Sequence, residues 1–384
     1  MALNKPLNKP LCPALVAPHT SLGVAAVARS KGWGMDSEIA LFLAIDGIAN
    51  GVIYVLIALG IVLIFSVTRV IFVPFGDIAA FSALTLASFE AGRVPGTVAL
   101  VAVLAALATC VETVHLWRRN AAARIPRAIA VYGVLPLLPA AIALAVQSIT
   151  LPLGLAMLLT LALVLPIAPL LNRIAFQPMA DASVLVLLIV SVAAHFAISG
   201  LALLFFGPEG YRTQPMSRAV FAIGPVTISA QVLLMVAAAA LFSAMLFLFF
   251  GQTTMGKALR ATAINRTGAR LAGIRPQQTG SIAFLLASLL GGISGLLIGP
   301  IATLYYDSGF LIGLKAFVGA IIGGLASYPL TAFGALLVGL LESYASFWNS
   351  PLKEAIVFGA LIPILLWRSL SAGGHDEEEE EDIT

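Results

Sequence analysis

The sequence predicts an all-α polytopic membrane protein, and its composition and the length of its apolar blocks carry that prediction. Of 384 residues, 60% are hydrophobic and 10% are charged, with a mean hydropathy of +1.03, whereas soluble domains have about 25% charged residues. The blocks have the roughly 20 residues of a spanning helix, not the ~10-residue alternating segments of a β-barrel. A soluble protein is excluded, and we expect roughly 10 to 11 transmembrane or re-entrant helices.

Apolar blocks account for most of the chain. They cover residues 39–65, 74–91, 97–117, 128–147, 152–171, 183–206, 225–250, 280–303, 311–327, 329–347 and 354–368. The block 311–327 is short, glycine-rich and contains Lys315. We therefore leave open whether it crosses the membrane or re-enters a cavity lined by protein.

Polar segments flank the apolar region at both ends. We expect a polar N-terminal extension over residues 1–34, with Met35 as the simpler translation start, and a transmembrane domain over 35–370. Residues 371–384 form an acidic tail that we expect to be disordered. Cys12 and Cys110 are the two cysteines, and their spacing indicates neither a metal site nor a disulfide framework.

Two basic segments without acids set the orientation. Residues 117–127 carry four arginines, and residues 251–279 carry four arginines and Lys257. Short basic loops face the cytoplasm, and four blocks separate the two segments, so both fall on one side. We interpret this basic excess as topology, not nucleic-acid binding. The tail is then inside if every later block crosses, and outside if 311–327 is re-entrant.

The segment 252–279 is the longest polar interruption between blocks. Its apolar positions recur at helical intervals, which predicts an amphipathic helix that ends at Gly273, shortly before Pro276. Such a helix docks in a groove of a partner or lies on anionic headgroups, and the residues alone favour neither. The stretch Gly251–Ala258 nearly matches a phosphate-binding loop, but Ala258 replaces the hydroxyl residue and no strand precedes it, so we exclude nucleotide binding by this chain.

Four stretches resemble the LivH-type permeases of branched-chain amino acid ABC importers, in the family's order. They are GVIYVLIALGIVLIFSVTRVIFVPFGDIAAFSALTLAS (51–88), LNRIAFQPMADASVLVLLIVSVAAHFAISGLALLFFGPE (171–209), GKALRATAINRTGARLAGI (256–274) and GFLIGLKAFVGAIIGGLAS (309–327). The chain departs from the family's Asn-Phe-Ala-His-Gly-Asp motif, because it reads Phe72-Val73-Pro74-Phe75-Gly76-Asp77. Residues 97–150 are also longer than the family usually has.

The resemblance implies an importer permease fold in a bacterial inner membrane. It implies two cytoplasmic ATPase subunits that carry ATP and Mg, a second LivM-like permease and a periplasmic binding protein, with no cofactor in this chain. It also implies that residues 256–274 couple the permease to an ATPase. The coupling residues we expect are Gly256, Arg260, Ala261, Asn265, Ala269 and Gly273.

Polar residues within the apolar blocks are candidates for the translocation path, because charges at membrane depth are costly and usually face a cavity or each other. The titratable residues at membrane depth are Asp46, Asp77, Glu112, His195, Lys315 and Glu342. The candidates for the path are Asp46, Asn50, Gly76, Asp77, His195 and Lys315. Asp46 and Asn50 share a helical face. We hypothesise an Asp77–Lys315 pair around the path, with a packing pair as the alternative. His195 is either a packing residue or a pathway contact.

Two functions from different classes are compatible with these patterns. The first is the permease of an ATP-driven importer of branched-chain or other amino acids. The alternative is a secondary transporter of a small polar solute that uses an ion gradient, with Asp77 or Asp46 as the coupling carboxylate. No cluster of residues in the sequence has catalytic or metal-ligand spacing, so an enzyme is disfavoured.

Overall fold

The computed structural model is helical almost throughout. It describes residues 37–146, 151–180, 182–223 and 226–366. Within these ranges, eight helices are long and apolar enough to cross a membrane, which confirms the predicted all-α polytopic class. The expectations for residues 1–34 and 371–384 lie outside the described residues.

Thirteen helices and one hairpin are used below to place the site. The helices are α1 Ser37–Thr68, α2 Phe75–Glu90, α3 Gly96–Arg118, α4 Ile125–Ala145, α5 Leu153–Met179, α6 Val184–Phe206, α7 Ala230–Gln252, α8 Thr254–Ile264, α9 Arg266–Leu271, α10 Pro276–Ile298, α11 Ser308–Ile322, α12 Tyr328–Asn349 and α13 Lys353–Gly359. Helices α4 and α5 contain π-helical turns at Ile129–Val134 and Asn172–Phe176. The antiparallel strands are β1 Val220–Ile223 and β2 Val226–Ser229.

The start of the predicted block 225–250 is wrong, because strand β2 occupies its first residues. Val226, Thr227 and Ile228 are β-branched residues, which favour an extended backbone. Helix α7 begins only at Ala230, where the hydroxyl of Ser229 accepts a hydrogen bond from the Val232 amide.

Two helices are too short to cross a bilayer alone. Helix α2 has 16 residues and α11 has 15, so they measure about 24 and 22 Å, against a hydrocarbon core of about 30 Å. Each follows a long helix, α1 or α10, after an irregular connecting segment. Helix α11 therefore needs the connecting segment 299–307 to complete its passage through the bundle.

The units α1–α2 and α10–α11 have the same architecture and meet at the starts of their short helices. A Cβ atom on Gly76 would overlap the carbonyl oxygen of Gly309, and one on Gly309 would collide with the Asp77 backbone. From this junction α2 runs towards Glu90, whose side chain accepts a hydrogen bond from the backbone N–H of Gln214. Helix α11 runs to the opposite end of the bundle, so the two units are inverted relative to each other.

Both predicted basic loops lie at one end of the bundle. Arg266 donates to the carbonyl of Ala180, at the end of α5, and Arg173 on α5 forms an ion pair with Glu112, near the end of α3. The turn after α11 lines a cleft with Arg260 at this same end. We refer to it as the cytoplasmic end. Although short, α11 therefore brings the chain to the end where α12 begins.

Helices α1 and α12 pack closely through glycines. A Cβ atom on Gly51 would lie 2.9 Å from the Leu336 Cα atom, and one on Gly47 would lie 2.7 Å from the Leu340 Cα atom. Gly319 and Gly323 make equally close contacts between α11 and α12. Small residues at such spacing allow helix backbones to approach closely.

Candidate functional site

The junction of the two short helices buries Asp77 and His195. Asp77 lies in the first turn of α2 and is fully buried, and its Oδ2 atom is 2.6 Å from His195 Nδ1 on α6. The His195 ring stacks on Phe310, in the first turn of α11, with a centroid distance of 4.8 Å. Three predicted candidates, Gly76, Asp77 and His195, are thus brought together.

The junction concentrates positive helix ends around a carboxyl group. The N-termini of α2 and α11 both leave unpaired backbone N–H groups, and each carries a partial positive charge. Within the described residues, Asp77 Oδ1 has no hydrogen-bond partner, and it lies where a Cβ atom on Gly309 would be 2.7 Å away. Asp77 can therefore act as the counter-charge to both helix ends.

Helix α6 fixes the break before α2 with a second contact. Ser191, one turn before His195, accepts a hydrogen bond of 2.7 Å from the Val73 amide. Phe72 packs edge-on against Phe284 and Phe176 with centroid distances of 5.1 and 5.6 Å. The segment joining α1 to α2 is thus held by one hydrogen bond and an aromatic cluster.

The hypothesised Asp77–Lys315 pair is wrong. Lys315 Nζ lies 2.5 Å from Glu342 Oε1 on α12 and 3.4 Å from Glu354 Oε1 on α13. The Tyr54 hydroxyl donates to Glu342 Oε2 at 2.5 Å. His195 takes the position beside Asp77 that the hypothesis gave to Lys315, so each buried charge has a nearer partner.

We call Tyr54, Lys315, Glu342, Lys353 and Glu354 the ionic cluster. Lys353 Nζ lies 3.8 Å from Glu342 Oε1, although eleven residues of straight helix would separate the two by about 16 Å. The chain therefore turns back at Ser350–Leu352, so that α13 packs against the bundle. The sequence singled out Glu342 as an intramembrane acid, but Glu354 lay at a block boundary and gave no signal.

Asp46 and Asn50 share a helical face, as predicted. Asn50 Nδ2 lies 3.4 Å from Asp46 Oδ2, and the Ser343 hydroxyl donates to the same oxygen at 3.0 Å. Asp46 remains exposed in the isolated chain. The pair is separate from the junction, and its role in the path stays a prediction.

The coupling loop contains two helices, where one was predicted. Asn265 is extended, with φ −144° and ψ 104°, and its Oδ1 atom accepts a hydrogen bond of 2.8 Å from the Gly268 amide. It therefore ends α8 and caps α9. Gly273, at φ +81°, ends α9 as predicted, and the Ile274 amide donates to the Ala269 carbonyl.

The expected coupling residues divide by exposure. Arg260, Asn265 and Gly273 are exposed and Ala261 is half-buried, whereas Gly256 and Ala269 are buried and can only support the loop. The largest exposed apolar side chains of the loop are Ile264 and Leu271, at 84% and 86%. Both are apolar positions of the predicted amphipathic helix, but the helical spacing of apolar residues did not show that these two side chains face outwards.

A family of known proteins matches most of this sequence. Residues 43–366 match the model of the family described as the permease component of branched-chain amino acid transport systems. The chain belongs to this family. Membership confirms the LivH-type resemblance and identifies the chain as a multi-pass transport subunit and not an enzyme.

Three individual relatives are 27–32% identical to this chain over the aligned residues. The permease BraD of Pseudomonas aeruginosa is 32% identical over 136 residues, 35% of this chain and 44% of that protein. The alignment thus spans less than half the length of this relative. The permease LivH of Escherichia coli K12 is 27% identical over 215 residues, 54% of this chain and 70% of that protein. A probable LivH permease of Methanocaldococcus jannaschii is 27% identical over 123 residues, 32% and 39% of the two chains. No solved structure matches the chain.

Proposed function

We propose that this permease subunit imports branched-chain or related amino acids through a bacterial inner membrane. In this proposal two cytoplasmic ATPase subunits bind ATP and Mg, a periplasmic binding protein delivers the solute, and a second LivM-like permease completes the path. The names of the relatives support the substrate class, since all three are branched-chain amino acid permeases.

The observation that carries the proposal is the pair of capped helices at the cytoplasmic end. Ile264 and Leu271 extend from α8 and α9 with most of their surface exposed, beside five cations of the loop. Large exposed apolar side chains rimmed by polar residues mark a protein interaction site. An ATPase that docks there can move α8 and, through it, the ends of the membrane helices.

Transport in this scheme is a rocking of the inverted units about their junction. The short helices α2 and α11 start beside Asp77, and discontinuous helices of this kind commonly line solute sites near the membrane midplane. Asp77, His195 and Gly76 hold the two helix ends together. ATP binding and hydrolysis on the partner supply the free energy that changes their relative orientation.

Uptake of labelled leucine tests the proposal. Initial rates are measured in cells with and without the gene, with urea and an aromatic amino acid as comparators, before and after ATP depletion at preserved membrane potential. We expect gene-dependent leucine uptake that stops with ATP depletion. Uptake that survives ATP depletion and collapses with an uncoupler would instead establish an ion-coupled carrier.

Substitution of the exposed apolar residues tests the docking surface. Ile264→Glu and Leu271→Glu should each prevent co-purification of the ATPase subunits while the permease still folds, because the new carboxylate would be buried in the interface. Met255→Glu is the matched control, since Met255 is an exposed apolar residue of α8 at 42%. Equal loss of ATPase binding in all three variants would contradict a specific surface.

A further inference from the structure

A cleft of about 410 Å³ lies at the cytoplasmic end between α1, α8 and the turn from α11 to α12. Its walls include Val67, Arg69, Leu259, Arg260, Leu325 and Tyr328. Val67, Leu259 and Phe250 are buried and form an apolar floor. The cleft is separate from the helix junction and from the ionic cluster.

Two guanidinium groups border this cleft without a compensating charge. In the part of the chain that the structure describes, neither Arg69 nor Arg260 forms a salt bridge, and no acid lines the cleft. Arg69 rests on the Phe65 ring, with its guanidinium carbon 5.9 Å from the centroid. Both arginines are exposed. Such a site attracts carboxylates or phosphates that carry apolar groups.

The backbone around the cleft is strained at two places. Arg69 has φ +62° and Leu325 has φ +58°, and only Asn120 shares this left-handed conformation among the described residues other than glycine. Bulky residues adopt it only where the surroundings impose it, and such positions are frequent at ligand clamps and switches. The surroundings of the cleft thus hold Arg69 and Leu325 in a backbone conformation that these residue types disfavour.

The chain itself contains a segment of complementary chemistry. Residues 376–382 are seven consecutive acids, and Ile383 follows them. The remaining residues, 1–375, have 21 cations against 11 acids, a formal charge of +10. The acidic segment and the cleft therefore have opposite charge, and each also offers apolar surface.

The length of chain allows the two to meet. Helix α13 turns back along the bundle, because Glu354 contacts Lys315 and Val357 is fully buried in the core. The ten residues from Leu366 to Asp376 can span at most about 33 Å. Helix α12, whose Tyr328 borders the cleft, is itself about 33 Å long. Because Lys353 already lies beside Glu342, seven residues back from the end of α12, the chain that follows α13 starts nearer to the cleft than the far end of α12, and these ten residues are long enough to reach it.

We propose that the cleft is the docking site of the chain's own acidic segment 376–382, with its carboxylates on Arg69 and Arg260 and Ile383 on the apolar floor. Because Arg260 lies on α8, occupancy attaches the tail to the helix that is to couple the permease to its ATPase. The contact is electrostatic and near the surface, so it weakens as salt increases. The rings of Phe250 and Tyr328 stack with their centroids 5.3 Å apart in the wall of the cleft.

Disulfide trapping in the full-length chain tests this contact. In a Cys12→Ser/Cys110→Ser background, Ala263→Cys in the cleft is paired with Glu379→Cys, and the purified protein is oxidised in nanodiscs of neutral phosphatidylcholine. We expect cross-linking that falls about tenfold in 1 M salt, because the Debye length shortens from about 10 Å at 0.1 M to about 3 Å. The same fall is expected on changing Glu377, Glu378, Glu380 and Glu381 to Gln, which leaves the cleft intact.

Matched controls separate docking from general attraction to a basic surface. Leu271→Cys replaces Ala263→Cys as an exposed position of the same loop outside the cleft. The double variant Arg69→Asn/Arg260→Gln should abolish the cross-link. Asn replaces Arg69 because Asn tolerates the positive φ of this position. The control Arg119→Gln/Arg124→Gln removes two exposed arginines elsewhere and should leave the cross-link unchanged. Equal yields with Leu271→Cys, or no effect of the cleft arginines, would overturn the proposal.

A second measurement identifies a competing occupant. Maleimide labelling of Ala263→Cys is compared in the full chain and in the glutamine-tail variant. Faster labelling of the variant in neutral lipid supports tail occupancy. Equal labelling in neutral lipid, with protection only by phosphatidylglycerol or only by added ATPase subunits, would assign the cleft to lipid or to the ATPase and overturn the proposal.

Discussion

At the scale of single residues, His195 holds Asp77 where two helix ends converge. Removing the imidazole leaves the buried carboxyl with no side-chain partner among the described residues, a situation that costs about 1–3 kcal/mol. We expect His195→Ala to lower the free energy of unfolding by this amount in thermal unfolding in detergent. His115→Ala is the control, because His115 is exposed near the end of α3. Equal stability of both variants would show that the Asp77 contact contributes nothing.

Gly76 is the residue that permits the two short helices to touch. Its position admits no Cβ atom without displacing the Gly309 carbonyl, and overpacking typically costs about 1–3 kcal/mol. We expect Gly76→Ala to destabilise the protein and reduce uptake. Gly200→Ala in α6 should be neutral or stabilising by up to about 1 kcal/mol, since nothing lies within 4 Å of a Cβ atom there. A Gly76→Ala variant as stable as Gly200→Ala would argue against a close junction.

At the scale of elements, the ionic cluster connects α1, α11, α12 and α13. Lys315→Met should cost about 3–5 kcal/mol, because it leaves the Glu342 carboxylate buried without its nearest cation. Lys353→Met should cost at most about 1 kcal/mol, because that side chain is 34% exposed. Unfolding curves of Lys315→Met, Glu342→Leu and Lys315→Met/Glu342→Leu give the coupling energy of the pair.

The outcome for the double variant distinguishes two pairings. We expect Lys315→Met/Glu342→Leu to be more stable than Lys315→Met alone, because an apolar pair replaces an unpaired charge. Lys315→Met and Asp77→Asn should have additive effects, since each side chain has its own partner. Strong coupling between Lys315 and Asp77 would restore the pair that the sequence suggested.

The sequence predicted the helices better than it predicted which side chains contact one another. Block length and hydropathy located the spanning helices, because both follow directly from bilayer thickness. Glu342 and Lys315 were each identified as buried charges, yet they are 27 residues apart and nothing in periodicity links them. The departure at Phe72 and Phe75 illustrates the same limit, since their role depends on Phe176 and Phe284 from distant helices.

At the scale of the whole molecule, one segment joins the inverted units at the end opposite the coupling loop. Tyr211 and Leu304 exchange backbone hydrogen bonds of 2.9 Å, and Arg212 Nε donates to the Pro300 carbonyl. Two residues further on, the Gln214 amide donates to Glu90 at the end of α2. The segment 211–214 thus contacts the connection before α11 and the last residue of α2.

This arrangement predicts that the contact of segment 211–214 with α2 must change during transport. If the units rock about the Gly76–Gly309 junction, their far ends separate most, so the Glu90–Gln214 contact is the one that opens. In a Cys12→Ser/Cys110→Ser background, cross-linking Glu90→Cys to Gln214→Cys should stop leucine uptake, and a reductant should restore it. Each single cysteine variant is the control, and both should transport normally, because Glu90 and Gln214 lie at the edge of the bundle. Full uptake by the cross-linked protein would mean that α2 and segment 211–214 move as one body, so that the rocking motion would have to occur at the cytoplasmic end, where α8 meets α1 and α10.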